Sequence, residues 1–190
     1  MTALKTDVRE QIEFGLELPA NKLANSSPAY ERLHGPNQWP NHPNIPEWKD
    51  QYQAVVIEYM QQLQGLAERL LELMAEILEV DIQQLLSWFR PNPHIRMKVV
   101  RYPGMTEAEK VLAEAASLLG VGPHKDYGFF GLLLQDDIGG LQYQKNKDGE
   151  WIEAVPIDGT FVVTLGEMVE AATGGHFPAT VSLSHFPPSL

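Results

Sequence analysis

The sequence predicts an α+β protein in which helices precede a β-rich half. Three observations carry that prediction. Apolar residues over 47–80 recur at alternating spacings of four and three, the signature of one helical face. At Ile95 the period switches to two, with Ile95, Met97 and Val99 alternating with Arg96 and Lys98. Beyond Tyr127, short β-prone runs are separated by Gly-rich turns, which suits a β-sandwich or barrel.

The elements follow in order. Residues 1–46 are punctuated by Pro19, Pro28, Pro36, Pro40, Pro43 and Pro46, and read as extended, loop-rich chain that must lie on something else. The helix over 47–80 carries Tyr52, Val56, Tyr59, Leu63, Leu66, Leu70, Leu73, Ile77 and Val80 on its stripe. That stripe has two readings: a coiled-coil seam, or a long helix packed on its own domain. Leu71, Met74 and Leu78 broaden it and favour the second. Asp81, with Gln84 three residues on, caps a short helix that ends before Pro91. A strand over 95–102 follows, then a helix over 106–119 opened by a Thr106/Glu109 capping box. Strands are expected at 129–134, 140–144, 151–155 and 160–165, with a turn at 146–149.

Composition excludes several functions. With 14 Lys and Arg against 25 Asp and Glu, the net charge is −11, which argues against nucleic acid or an anionic membrane as the main partner. The chain contains 0 Cys, so disulfides, thiolate-bound metal and a thiol nucleophile are excluded. No apolar run approaches the roughly 20 residues of a spanning helix. The first 15 residues hold no apolar signal core, so a cytoplasmic location is expected. The oligomeric state is left open.

The stretch Gly122-Pro123-His124-Lys125-Asp126-Tyr127-Gly128 bears the chemistry. On an extended segment, residues two apart project to one side. His124 and Asp126 can therefore offer an imidazole nitrogen and a carboxylate oxygen to one metal. A second His from a distant strand would complete a facial triad with open positions. Taken alone, His-x-Asp reads more readily as surface loop.

The wider pattern resembles the non-haem iron, 2-oxoglutarate-dependent dioxygenases of the isopenicillin N synthase-like group. The segments that carry the resemblance are in the family's order: 10–15 (EQIEFG), 35–40 (GPNQWP), Arg101-Tyr102-Pro103, His124 to Gly128, 132–142 (LLLQDDIGGLQ), Trp151, Val155-Pro156, Gly159, 161–163 (FVV) and 165–168 (LGEM). The resemblance implies an incomplete double-stranded β-helix, or jelly roll, braced by the long helix. It divides the chain into a partial N-terminal helical region, 1–93, and a partial jelly-roll domain, 94–190. It implies Fe(II) and 2-oxoglutarate as cofactors, with hydroxylation, desaturation or cyclisation of a small organic substrate. His124 and Asp126 become metal ligands. Tyr102 becomes a contact to the co-substrate carboxylate, although a core aromatic at a strand end is an equal reading. Asp136, Asp137, Gly139 and Gly140 belong to a turn.

The pattern also departs from the family. Where the family places its third ligand, a His, this chain has Ser182, and a hydroxyl is a poor ligand for iron. The chain ends before the family's Arg and Ser that hold the co-substrate. The tail from Ser182 does not continue the strand pattern and reads as an altered C-terminus. His185 is a substitute third ligand only if the tail folds back, because it lies three residues on and so on the opposite strand face. His34, His42, His94 and His176 read as loop or surface residues. The competing reading is a non-catalytic, truncated chain, with an interaction module built on the long helix as one form of it.

Overall fold

The computed structural model describes residues 7–20, 28–91, 93–116, 118–145 and 149–185. The chain forms two compact units, one of residues 12–99 and one combining the N-terminal residues to Gln11 with 100–190. The division implied by the resemblance lies at 93/94. The compact units change over within the strands β1, Glu10–Gly15, and β2, Arg96–Arg101, which pair with each other.

In the first unit the helix α1 spans Trp48–Leu78, close to the expected 47–80. It stops at Glu79, whose backbone turns left-handed and whose N–H donates to the Ala75 and Glu76 carbonyls. Its core face differs from the predicted stripe. Val56, Met60, Leu71, Met74 and Ala75 are buried, whereas Leu73, Ile77 and Val80 are exposed. A strict seven-residue stripe drifts by about 20° per heptad around a straight helix. By the last turns the residues facing the core are therefore Leu71 and Met74. The packing is that of a helix on its own unit: Phe14, Val56 and Met60 form a buried cluster, flanked by Ile12, Trp39, Tyr52, Ile95 and Met97.

That cluster explains what the Pro-rich N-terminal stretch lies on. Phe14 stacks on Trp39 with ring centroids 4.8 Å apart. Asn37 clamps Gly15 by exchanging hydrogen bonds with its N–H and carbonyl, at 2.9 and 3.0 Å. Glu17 accepts from the Asn37 amide and from the Trp39 indole. The sequence reading missed β1 and a short 3₁₀ helix at Ala29–Leu33. A second helix, α2, spans Ile82–Ser87, with Asp81 accepting from the Gln83 N–H.

In the second unit, α3 spans Glu107–Ala115 and its capping box forms as expected. The Glu109 carboxylate accepts from the Thr106 N–H and hydroxyl, and the Thr106 hydroxyl accepts from the Glu109 N–H. The strands are β3, Val121–Lys125; β4, Phe130–Leu133; β5, Leu141–Gln144; β6, Trp151–Glu153; β7, Val162–Leu165; and β8, Val181–Ser184. A short helix α4, Glu167–Ala172, follows β7. The strands form a four-stranded antiparallel sheet in the order β3-β8-β5-β6 and a two-stranded sheet β4-β7.

Two corrections follow. The chain beyond Val181 does continue as a strand: β8 runs to Ser184 and is held on both sides, by β3 and by β5. Ladder hydrogen bonds on two edges outweigh its weak apolar alternation. The segment 121–125, read only as extended, is likewise a ladder strand. The turn at 146–149 lies outside the described residues save for Gly149. The 132–142 segment turns as predicted, with Asp136 accepting from the Ile138 N–H at 3.1 Å, and Gly139 and Gly140 both left-handed.

Candidate metal centre

The centre begins with an edge strand. Pro123 cannot donate a ladder hydrogen bond and is tolerated because β3 is at the sheet edge. The β3–β8 register shifts by one residue between Val121 and His124, a bulge of the kind that re-aims a side chain. Beyond it His124 stands directly opposite Ser182. The turn after β3 then carries Asp126.

Each side chain is held by its outer atom. His124 Nδ1 lies 2.9 Å from the Gly122 carbonyl, which can only accept, so a ring carrying one proton holds it on Nδ1 and presents Nε2 as the ligating atom. Asp126 Oδ2 accepts from the Thr164 hydroxyl at 3.1 Å. The two remaining atoms, His124 Nε2 and Asp126 Oδ1, face each other at 3.7 Å. That is too long for a direct hydrogen bond. Two donors sharing one ion at about 2.1 Å each lie roughly 3 Å apart, which a small side-chain rotation supplies. The side chains are 36% and 39% exposed, so an ion reaches them from solvent. An imidazole nitrogen whose ring N–H is held on a carbonyl, beside a carboxylate oxygen, suits a divalent transition metal.

The surroundings brace this pair. Gly131 stands opposite Thr164 in the β4–β7 ladder, and a Cβ there would strike the Thr164 hydroxyl and come within 3.1 Å of Asp126 Oδ2. The Asp126 carbonyl accepts from the Glu167 N–H at the start of α4, and the Phe129 carbonyl from the Gly166 N–H. On the opposite face of β3, Lys125 pairs with Glu170 at 2.7 Å, and the same Glu170 oxygen accepts from the Ala179 N–H. Glu170 thus ties the His-x-Asp segment to α4 and to the chain entering β8.

The structure brings His124 and Asp126 together. Ser182, 7% exposed, lies directly across the ladder from His124 and projects on the same sheet face. His185 is not brought to the pair. It follows Leu183 on the other face, where its ring lies 3.1 Å from the Gln142 side chain. Among the described residues no group of three or more His, Cys, Asp and Glu side chains converges on one point. The Tyr102 ring packs on Gly120, just before β3, where a Cβ would come within 2.7 Å of it. His94 and His176 are exposed. The sequence reading missed Thr164, Gly131 and Glu170. A glycine inside a strand was the available signal, since it marks a close approach.

One row across the four-stranded sheet links the centre to a cavity. His124, Ser182 and Tyr143 lie side by side on β3, β8 and β5. Tyr143 also lines a cleft of about 190 Å³, with Gln135, Ala154, Ile157, Phe161 and Val162. At 4.7–4.9 Å between strands, the Tyr143 backbone lies about 10 Å from that of His124.

A His-x-Asp pair on an edge strand, with a neighbouring hydroxyl on the carboxylate, suits a non-haem metal protein, and similarity to known proteins gives the class. The family model of the 2OG-Fe(II) oxygenase superfamily matches residues 93–181. A 2-oxoglutarate-dependent dioxygenase of Gibberella zeae is 36% identical over 181 residues, covering 94% of this chain and 45% of the relative. A homoarginine-6-hydroxylase of Arabidopsis thaliana is 29% identical over 180 residues, 95% of this chain and 46% of the relative. Among solved structures, a full-length Neurospora crassa protein in complex with alpha-KG superposes with a TM-score of 0.75 at 24% identity, over 97% of this chain and 50% of that one. A 2OG-Fe(II) oxygenase family protein of Caulobacter crescentus gives 0.72 at 23% identity, over 96% and 52%. The chain belongs to the 2OG-Fe(II) oxygenase superfamily, whose cofactors are Fe(II) and 2-oxoglutarate. The sheets β3-β8-β5-β6 and β4-β7 are part of that family's jelly roll. It spans under half the length of these curated relatives. Among the described residues, no helix is long and apolar enough to cross a membrane.

Proposed function

We propose that this chain carries the iron-binding part of an Fe(II)- and 2-oxoglutarate-dependent oxygenase acting on a small organic substrate. One observation carries the reading: His124 Nε2 and Asp126 Oδ1 face each other at 3.7 Å while the outer atom of each side chain is already hydrogen-bonded. Bound there, the iron would supply, with 2-oxoglutarate and O₂, the oxidising chemistry that protein side chains lack. His124 and Asp126 would hold it. Tyr102 would contact the co-substrate carboxylate, and the cleft beside Tyr143 would take part of a small substrate.

The test is anaerobic titration of the whole chain with Fe(II), with and without 2-oxoglutarate, followed by charge-transfer absorption. Binding that Asp126→Ala abolishes supports the site; equal binding by Asp126→Ala overturns it. A second reading, metal binding without turnover, is favoured by Ser182. Its hydroxyl stands across the ladder from His124, where a stronger ligand would complete the set. Negligible succinate formation from 2-oxoglutarate, alongside measurable Fe(II) binding, would support this second reading.

A further inference from the structure

The hydrogen bond on Asp126 comes from the other sheet. Thr164 belongs to β7 of the two-stranded sheet, whereas Asp126 follows β3 of the four-stranded one. We propose that Thr164 is a positioning residue. By holding Oδ2, it keeps Asp126 in the one rotamer that turns Oδ1 toward His124, so the carboxylate can offer a metal a single oxygen. This rests on the assignment of His124 and Asp126 as the metal pair.

Three features support it. The hydroxyl sits 3.1 Å from Oδ2, and Oδ1 is the atom that faces His124 Nε2. Gly131 leaves room for the contact, because a side chain there would occupy the space of the Thr164 hydroxyl. The Asp126 backbone is fixed separately, by the Glu167 N–H donating to its carbonyl at 2.8 Å. With the backbone so held, what the hydroxyl adds is the side-chain orientation. A half-buried Asp side chain without it would sample more than one rotamer. It would then meet an ion in the productive one only part of the time, and affinity would fall by that fraction.

The experiment compares the whole chain with Thr164→Val, Thr164→Ser and Asp126→Ala. The first readout needs no metal: three-bond couplings at Asp126 should report one rotamer in the starting chain and in Thr164→Ser, and averaged couplings in Thr164→Val. The second is Co(II) affinity by absorption, with the melting temperature as a folding control. Removing an outer partner of a metal ligand weakens binding by about 10–100-fold. Thr164→Val should fall in that range, while Thr164→Ser stays within about twofold of the starting chain on the same reasoning. A single Asp126 rotamer in Thr164→Val, or unchanged Co(II) affinity there, overturns the proposal. If Asp126→Ala binds Co(II) like the starting chain, the metal-pair reading fails instead, and the couplings alone decide whether Thr164 orients Asp126. Should Thr164→Val fail to fold, Gly131→Ala displaces the same hydroxyl and must average the same couplings; a single Asp126 rotamer there also overturns the proposal.

Discussion

Replacing Ser182 by His completes the ligand set at the position where the ladder puts it. Ser182 lies directly across from His124, with its side chain on the same face. Opposite Cβ atoms in an antiparallel pair are about 4.5–5.5 Å apart. Two rings rising from that base can bring their nitrogens to the roughly 3 Å separation that one shared ion requires. We put the gain in metal affinity at about 100-fold, the upper end of what outer partners alone contribute, equivalent to about 2.7 kcal/mol. The opposing effect is steric. Ser182 is 7% exposed, so an imidazole there overpacks the metal-free chain, by about 1–3 kcal/mol. The variant should thus melt below the starting chain without metal and recover with it. At free metal 100-fold above Kd, binding adds about 2.7 kcal/mol. For a chain of this size, that raises Tm by roughly 5–11 °C. Co(II) titration followed by absorption gives the affinity, and melts with and without Co(II) give the shift. The double variant with Asp126→Ala should lose the gain. If Ser182→His binds no more tightly than the starting chain, or if its gain survives Asp126→Ala, then Ser182 and the His124–Asp126 pair do not share a site.

Three further outcomes are expected. Phe14→Ala empties the centre of the first unit, where Phe14 is 1% exposed and stacked on Trp39; a loss of about 3–5 kcal/mol in urea unfolding is expected, and a loss under about 1 would contradict the packing described. Gly166→Ala drives a Cβ into the Gly128 carbonyl, on the turn that carries Asp126. It should destabilise the chain by about 1–3 kcal/mol and weaken Co(II) binding, and unchanged binding would show that the turn does not set the site. The Glu109 carboxyl is held below its ordinary range, first by the Thr106 N–H and then by the Thr106 hydroxyl. Its contribution to α3 is therefore present above the ordinary carboxylate pKa and is lost as pH falls through the lowered value. Amide exchange in α3 should quicken over that acid range in the starting chain and not in Glu109→Gln; equal profiles would remove the capping box from the account.

The parts of the fold legible in the sequence were those written in local rules. The cap at Thr106, the Asp136 turn with its two glycines and the extent of α1 all rest on residues within four positions of one another. What failed depended on partners far along the chain. The buried face of α1 is chosen by Phe14 and its neighbours, more than 40 residues upstream of Met60. The strand β8 lacks a strong alternating pattern and exists because β3 and β5 both present open edges to it. The segment 181–184 was weak as isolated chain and well determined as the centre of a ladder.

The site divides the same way, and the division bears on its chemistry. His124 and Asp126 were legible because period-two alternation puts them on one side whatever surrounds them. Their aim was not, because it is set by atoms from elsewhere: a carbonyl two residues back, a hydroxyl from another sheet, and a glycine that makes room for it. A pair of ligands with fixed outer atoms is pre-organised, so binding a metal need not also pay for orienting the side chains. Ser182 then becomes the informative residue. The ladder delivers its side chain to the same face as a well-oriented pair, while its hydroxyl contributes little to holding iron. If the His124–Asp126 pair is as well positioned as these contacts indicate, the weakness of the centre lies in one side chain and not in its scaffold. A single substitution at Ser182 should therefore strengthen metal binding with no second substitution in the chain.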